Sequence, residues 1–250
     1  MKILISGALG RMGRAVFAAA SACEDVEVAA GVDLNAEKSD LPFPVYAAFS
    51  AVKEKADVII DFSSSSTLES LLAYAGENHI PAVLCATGYS EEQNKTVRAA
   101  AEKLPLFKSA NMSVGVNLLI DLCRKAAKAL PSFDVEIIEK HHNQKADAPS
   151  GTALMLADAV REVRPEDHYV YGRQGKPGKR DPKEIGIHAV RGGNIVGEHD
   201  VLFAGANETV TLSHAAASRN VFADGALKAA RYLLGKGAGL YNMEMLIKEL

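Results

Sequence analysis

The 250-residue chain carries 28 basic and 31 acidic residues, a formal charge of −3, with 48% apolar and 24% charged side chains. That balance suits a globular protein with a sizeable core and excludes a global basic field for nucleic acid or an anionic membrane. The three cysteines, Cys23, Cys85 and Cys123, form no CxxC pair, so a disulfide framework and a zinc site are both unsupported and a reducing compartment is expected.

The first apolar run, residues 2–5, is followed at once by Ser6-Gly7 and is too short for the apolar core of a signal peptide. It reads as a buried strand. Three glycines follow, then an alanine-rich helix over 12–22 and a strand over 26–32 that ends at Asp33, which makes one βαβ unit. Strands over 56–62, 80–85 and 105–108 alternate with helices over 67–78, capped by the preceding serines, and 91–103. The alternation predicts a parallel sheet covered on both faces and, with right-handed crossovers, doubly wound. Beyond about residue 112 the texture changes. A long helix over 114–130 leads to a strand over 134–142, a polar loop and a helix over 151–163. Residues 171–182 are rich in Gly, Lys, Arg and Pro and read as a loop. Segments 185–190, 194–199, 200–203 and 208–213 are strand-like with no helix between them, which predicts an open, largely antiparallel or mixed sheet. A last helix covers 221–234. No stretch approaches the roughly 18 apolar residues of a membrane span, and a cytoplasmic protein with no nucleic-acid or membrane partner is expected.

Gly7-Ala8-Leu9-Gly10-Arg11-Met12-Gly13 joins a strand to a helix. Glycines there allow a tight turn and let backbone amides approach a pyrophosphate, which the helix N-terminus also favours. The spacing is GxxGxxG, and a plain βα turn has the same pattern. The context favours a dinucleotide, because Asp33 stands 20 positions past Gly13 and can accept hydrogen bonds from a ribose diol. A carboxylate there repels a ribose 2′-phosphate. Leu34, Asn35 and Ala36 are not basic and Lys38 is the nearest cation, so NADH is favoured over NADPH. The loops Asp61-Phe62-Ser63-Ser64 and Ala86-Thr87-Gly88-Tyr89 follow strands and are candidates for the nicotinamide half.

The segment Glu139-Lys140-His141-His142-Asn143-Gln144-Lys145-Ala146-Asp147-Ala148-Pro149-Ser150-Gly151-Thr152-Ala153 is a strand end, a polar loop and a helix start. Ser150 or Thr152 can cap that helix, and the amides of Gly151 and Thr152 suit a carboxylate or phosphate. His141, His142 and Lys145 are proton donors or cationic anchors by type. An anion held at the helix start, with hydride arriving from a nicotinamide, would be completed by a proton from His141 or Lys145. Other readings of the same residues are a buried structural histidine and a surface Lys145–Asp147 ion pair. A metal is not indicated, for want of a Cys or carboxylate cluster at ligand spacing.

Glu136-Ile137-Ile138-Glu139-x-His141-His142-x-x-Lys145-x-Asp147-x-Pro149-Ser150-Gly151-Thr152-Ala153 closely resembles the signature of the 4-hydroxy-tetrahydrodipicolinate reductase (dihydrodipicolinate reductase) family. Gly7-x-x-Gly10-Arg11-Met12-Gly13, Asp61-Phe62-Ser63, residues 110–117, Tyr171-Gly172-Arg173, residues 195–199 and Ser218-Arg219 resemble further family motifs, so the likeness runs along nearly the whole chain. It implies an α/β fold, a Rossmann-like doubly wound parallel sheet plus a smaller α+β domain with an open mixed sheet. Residues 1–112 with 219–250 would form the dinucleotide-binding domain, and 113–218 the substrate-binding and oligomerisation domain, assembled as a homotetramer. The implied reaction reduces a small cyclic dicarboxylate to tetrahydrodipicolinate with NADH or NADPH, in lysine and diaminopimelate biosynthesis. By the resemblance, His141 is proton donor and acceptor and Lys145 is a proton donor. His142, Ser150, Gly151 and Thr152 would bind substrate. Gly7, Ala8, Leu9, Gly10, Arg11, Met12, Asp33, Ala86, Thr87, Gly88, Ala110, Asn111, Met112 and Ser113 would line the coenzyme. Two positions depart from the pattern. Leu34 stands where many members carry arginine, and Cys85-Ala86-Thr87-Gly88 replaces a run with glycine and paired threonines. Another Rossmann-type dehydrogenase, or a non-catalytic dinucleotide sensor, would share the scaffold without needing the His-Lys segment.

Overall fold

The computed structural model describes every residue from Met1 to Leu250. In chain order the first elements are β1 (Lys2–Ser6), α1 (Arg11–Ser21), β2 (Glu27–Val32), β3 (Val45–Tyr46), β4 (Val58–Asp61), α2 (Leu68–Asn78), β5 (Ala82–Leu84), α3 (Glu91–Ala101) and β6 (Pro105–Lys108). They are followed by α4 (Val114–Ala129), β7 (Asp134–His141), α5 (Gly151–Val163), β8 (His168–Tyr171), β9 (Glu184–Arg191), β10 (Glu198–Ala204), β11 (Thr209–Ala215), α6 (Asn220–Leu233), β12 (Gly239–Tyr241) and α7 (Met243–Lys248). The chain divides into a unit of Met1–Val114 with Asn220–Leu250 and a unit of Gly115–Arg219.

In the first unit Ile3, Leu4 and Ile5 are all fully buried, as are Val58, Ile59 and Ile60. Unbroken apolar runs of this kind belong to strands covered on both faces. Seven parallel strands follow the order β12-β6-β5-β4-β1-β2-β3. Ile3, Ile5, Val58, Ile60 and Phe107 pack on one face with residues of α1 and α6. Leu4, Ile59, Leu84 and Leu106 pack on the other face with residues of α2 and α3. Ser90 and Gln93 form a capping box that starts α3.

The second unit has five strands in the order β11-β10-β7-β9-β8. The sheet is mixed: β10 is antiparallel to β7 and β11, and β7, β9 and β8 are parallel. Strands β7 and β10 alternate strictly between buried and half-buried residues. One face therefore packs inward, where Val135, Ile137, Ile185, Ile187, Val201 and Phe203 meet Leu119, Cys123, Leu156 and Val160 of α4 and α5.

Four local readings of the sequence need correction. The strands expected over 194–199 and 200–203 are one strand, β10, because His199, Val201 and Phe203 keep a single inward phase across residue 200. Strands β3, β8 and β12 and helix α7 were not expected. Three of them have four residues or fewer and show no period, and α7 has six residues with its cap on Asn242. The serine run does not cap α2. It folds as a 3₁₀ turn, Ser65–Thr67, and its hydroxyls bond within the run, Ser64 to Ser66 and Ser63 to Thr67, both at 2.6 Å. Finally, the chain from 171 begins inside β8, so the polar loop starts only after Tyr171.

Candidate functional site

In the first unit the strand order reverses at β1, with β2 and β3 to one side and β4, β5 and β6 to the other. Ligands of open α/β sheets lie at the carboxyl ends of strands beside such a reversal. Gly7 ends β1 with φ +77°, and a Cβ there would lie 2.9 Å from the carbonyl carbon and oxygen of Phe62. A Cβ on Gly13 would lie 2.1 Å from the Gly7 oxygen. Only glycine fits this turn. Helix α1 opens from Gly10 with no side-chain cap and no acidic residue in its first turn, which leaves its positive end to an anion.

A cavity of about 690 Å³ opens beside this turn, lined by Gly7, Gly10, Asp33, Phe62, Ser63 and Tyr74 among others. Its lining includes Glu77 and no lysine or arginine, and Leu34 stands at its edge 79% exposed. Asp33 accepts from the Leu9 amide and the Asn35 amide, each at 3.0 Å, so it also ties the glycine turn to the end of β2. A nucleotide fits this cradle: uncapped amides, a glycine floor and an acidic acceptor at the rim. Ala8 lies buried under the turn, Met12 packs into the core and Arg11 is exposed. Ala86, Thr87 and Gly88 follow β5, and Ala110, Asn111, Met112 and Ser113 follow β6. Both groups sit at strand carboxyl ends and neither lines the cavity. The Asn111 side chain accepts from the Ser113 amide at 2.8 Å. Gly225 lets α6 lie against this loop, because a Cβ there would fall 1.7 Å from the Met112 oxygen.

In the second unit the registers build a buried polar cluster. Residues two apart on a strand share a face, so Glu139 and His141 of β7 both point inward. The register of β7 with β9 sets His141 beside Arg191, and that of β7 with β10 sets Glu139 beside His199. Glu139 is fully buried, His199 is 4% exposed and His141 is 9% exposed. One Glu139 oxygen meets His141 Nδ1 at 2.6 Å, and the other accepts from the Ser150 amide at 3.0 Å. Arg191 donates to both oxygens at 2.7 Å. Burial pushes the Glu139 carboxyl up, but bonds from Arg191, His141 and the Ser150 amide outweigh it and hold the group below the usual carboxylate range.

The Ser150 hydroxyl caps α5 by accepting from the Ala153 amide at 3.1 Å and meets His199 Nε2 at 2.9 Å. Gly151 and Thr152 are then the first helical residues, with their amides at the positive end of α5. Lys145 pairs with Asp147 at 2.8 Å, and His142 Nε2 lies 3.2 Å from an Arg219 nitrogen. Sequence reasoning placed Glu139, His141, His142, Lys145, Ser150, Gly151 and Thr152 in one segment, with no role given to Glu139, and the fold brings Arg191, His199 and Arg219 to it. Gly197 belongs here too, since a Cβ on it would lie 3.1 Å from His141 Nε2. The local signal for Glu139 is a charge in the buried phase of a strand. Arg191 carries no local signal, and His199 was marked only by the resemblance of residues 195–199 to a family motif.

The family models for dihydrodipicolinate reductase match the chain twice, the N-terminal model over residues 1–112 and the C-terminal model over 115–247. The 4-hydroxy-tetrahydrodipicolinate reductase of Caldanaerobacter subterraneus subsp. tengcongensis is 55% identical over 250 residues, covering 100% of this chain and 99% of that one. The enzyme of the same name from Clostridium tetani is 47% identical over 249 residues, covering 99% and 97%. Among solved structures, a dipicolinate-bound dihydrodipicolinate reductase from a Paenisporosarcina species superposes with a TM-score of 0.81 at 27% identity over 97% of each chain. A myo-inositol dehydrogenase from Corynebacterium glutamicum shares the fold, with a TM-score of 0.63 at 16% identity over 99% of this chain and 92% of that one.

Proposed function

The chain belongs to the dihydrodipicolinate reductase family, and we propose that it performs the family's reduction with His141 and Lys145 as its proton-handling side chains. It is an oxidoreductase that reduces 4-hydroxy-tetrahydrodipicolinate to tetrahydrodipicolinate with a reduced nicotinamide coenzyme, in lysine and diaminopimelate biosynthesis. The coenzyme, when bound, supplies the hydride. The glycine turn and the open end of α1 bind its pyrophosphate, and Asp33 accepts from the adenosine ribose. Ala86–Gly88 and 110–113 hold the remainder at the ends of β5 and β6. The acidic, lysine-free and arginine-free lining of the cavity supports NADH as the preferred coenzyme.

The substrate is a small dicarboxylate. One carboxylate takes the amides of Gly151 and Thr152 at the positive end of α5, where Ser150 supplies the cap. His142 and the Lys145 ammonium oppose its negative charge. The 4-hydroxyl departs as water together with a ring proton, which leaves a conjugated ring; hydride then adds to that ring, negative charge grows on it and a proton must follow. Lys145 donates it and His141 serves as donor and acceptor. The observation that carries this reading is a buried imidazole held at one nitrogen by an ionised carboxylate, on the same segment as the helix start and Lys145. The protein is cytoplasmic and tetrameric in this reading, and no helix is long and apolar enough to cross a membrane.

Lys145→Ala tests the assignment. It lowers kcat by about 10²-fold or more, the scale of a lost general acid, with coenzyme affinity unchanged. A near-normal kcat contradicts the role of Lys145.

A further inference from the structure

Glu139 has no role in the proton transfer as described, yet it is the hub of the buried cluster. Its carboxylate is ionised and can only accept hydrogen bonds, so the Nδ1 of His141, 2.6 Å away, must donate. His141 then carries its proton on Nδ1 when neutral, and Nε2 is left as the nitrogen that takes up or gives up a proton. The other carboxylate oxygen holds the Ser150 amide, one residue before the helical amides of Gly151 and Thr152. A buried carboxylate is costly unless paired, and the fork of Arg191 provides the pairing.

The remaining groups facing His141 do not take over its task. His199 stacks edge-on at 5.2 Å between ring centres. Burial, and then the neighbouring His141, push His199 down to about 4. It is therefore neutral near pH 7. The Ser150 hydroxyl, which accepts from the Ala153 amide, also meets His199 Nε2 at 2.9 Å. Lys145 stands on the loop after β7, paired with Asp147, and His214 on β11 flanks His199 from the far side.

We propose that Glu139 is a positioning residue for the reduction. Backed by Arg191, its carboxylate fixes His141 as the Nδ1–H tautomer with one oxygen and the start of α5 with the other. One buried group thereby aligns the proton-handling imidazole with the amides that hold the substrate carboxylate. The inference rests on the reading of His141 given above.

The test uses the full chain with nitrogen-15-labelled histidine, in wild type, Glu139→Gln and His141→Ala. The His141→Ala spectrum assigns the His141 signals. In wild type, neutral His141 shows the Nδ1–H pattern. In Glu139→Gln the side-chain amide offers Nδ1 a donor, so the Nε2–H form gains population. The same variant, still binding NADH as wild type does, loses kcat by about 10-fold or more. Glu139→Asp, which keeps an acceptor-only carboxylate, restores the Nδ1–H pattern and part of kcat. An Nε2–H pattern in wild type overturns the proposal, and that spectrum remains decisive even if Glu139→Gln does not fold. So does a Glu139→Gln enzyme that changes KM alone with the tautomer unmoved, since Glu139 would then shape only the helix start. Normal turnover by His141→Ala would instead remove His141 from the proton transfer, while the wild-type tautomer would still report on the Glu139 contact.

Discussion

Leu34 is the side chain at which the proposed preference for NADH is tested most simply. It follows Asp33 at the end of β2, is 79% exposed, and edges a cavity with no cationic lining. A 2′-phosphate entering there meets the Asp33 carboxylate without a compensating charge. Leu34→Arg supplies one, and the NADPH to NADH ratio of kcat/KM rises. An unchanged ratio places the ribose edge elsewhere. Asp33 was legible from its spacing past the glycine turn. Its bonds to the Leu9 and Asn35 amides were not, because they depend on how the turn folds back over β2. The same contrast holds in the second site. His141, His142, Lys145 and Ser150 stand within one short segment and could be read together. Arg191 and His199 join them only through the registers of β7 with its two neighbours, a long-range pairing that no local pattern announces.

Elements with a strong period were legible to within a residue or two: α1, α3, α4, α5 and α6, and the buried strands β1, β4 and β6. The short edge strands β3, β8 and β12 and the six-residue α7 were not, because they offer neither the unbroken buried apolar run that marks β4 nor enough residues to show a period. The uncovered face of the five-stranded sheet belongs to this scale. The outward phase of β7 and β10 carries Glu136, Ile138, Lys140, Asp200 and Leu202, and the helices of this unit pack on the other face. Glu136 anchors a charged network there. Burial pushes its carboxyl up, but Arg173, His188 and Arg180 outweigh this and hold it at about 2. A half-apolar sheet face with preformed ion pairs suits an interface between copies of the chain. Sedimentation equilibrium is expected to return four times the mass of the chain. A monomer across micromolar concentrations contradicts the tetramer.

At the scale of the molecule, alternation of strands and helices was enough to predict a doubly wound sheet followed by an open mixed one, and the resemblance to one family spans both. In the proposed reaction the glycine turn holds the hydride donor, and the His-Lys segment holds the substrate carboxylate and supplies the proton. A sensor needs only the first. The most direct measurement is therefore steady-state oxidation of NADH, and then NADPH, by the full chain, with substrate generated in place from pyruvate and aspartate semialdehyde by the preceding synthase. A reductase oxidises coenzyme only when that substrate is present, and faster oxidation of NADH than of NADPH is the expected result. Folded protein that binds coenzyme and oxidises neither form contradicts the reductase reading.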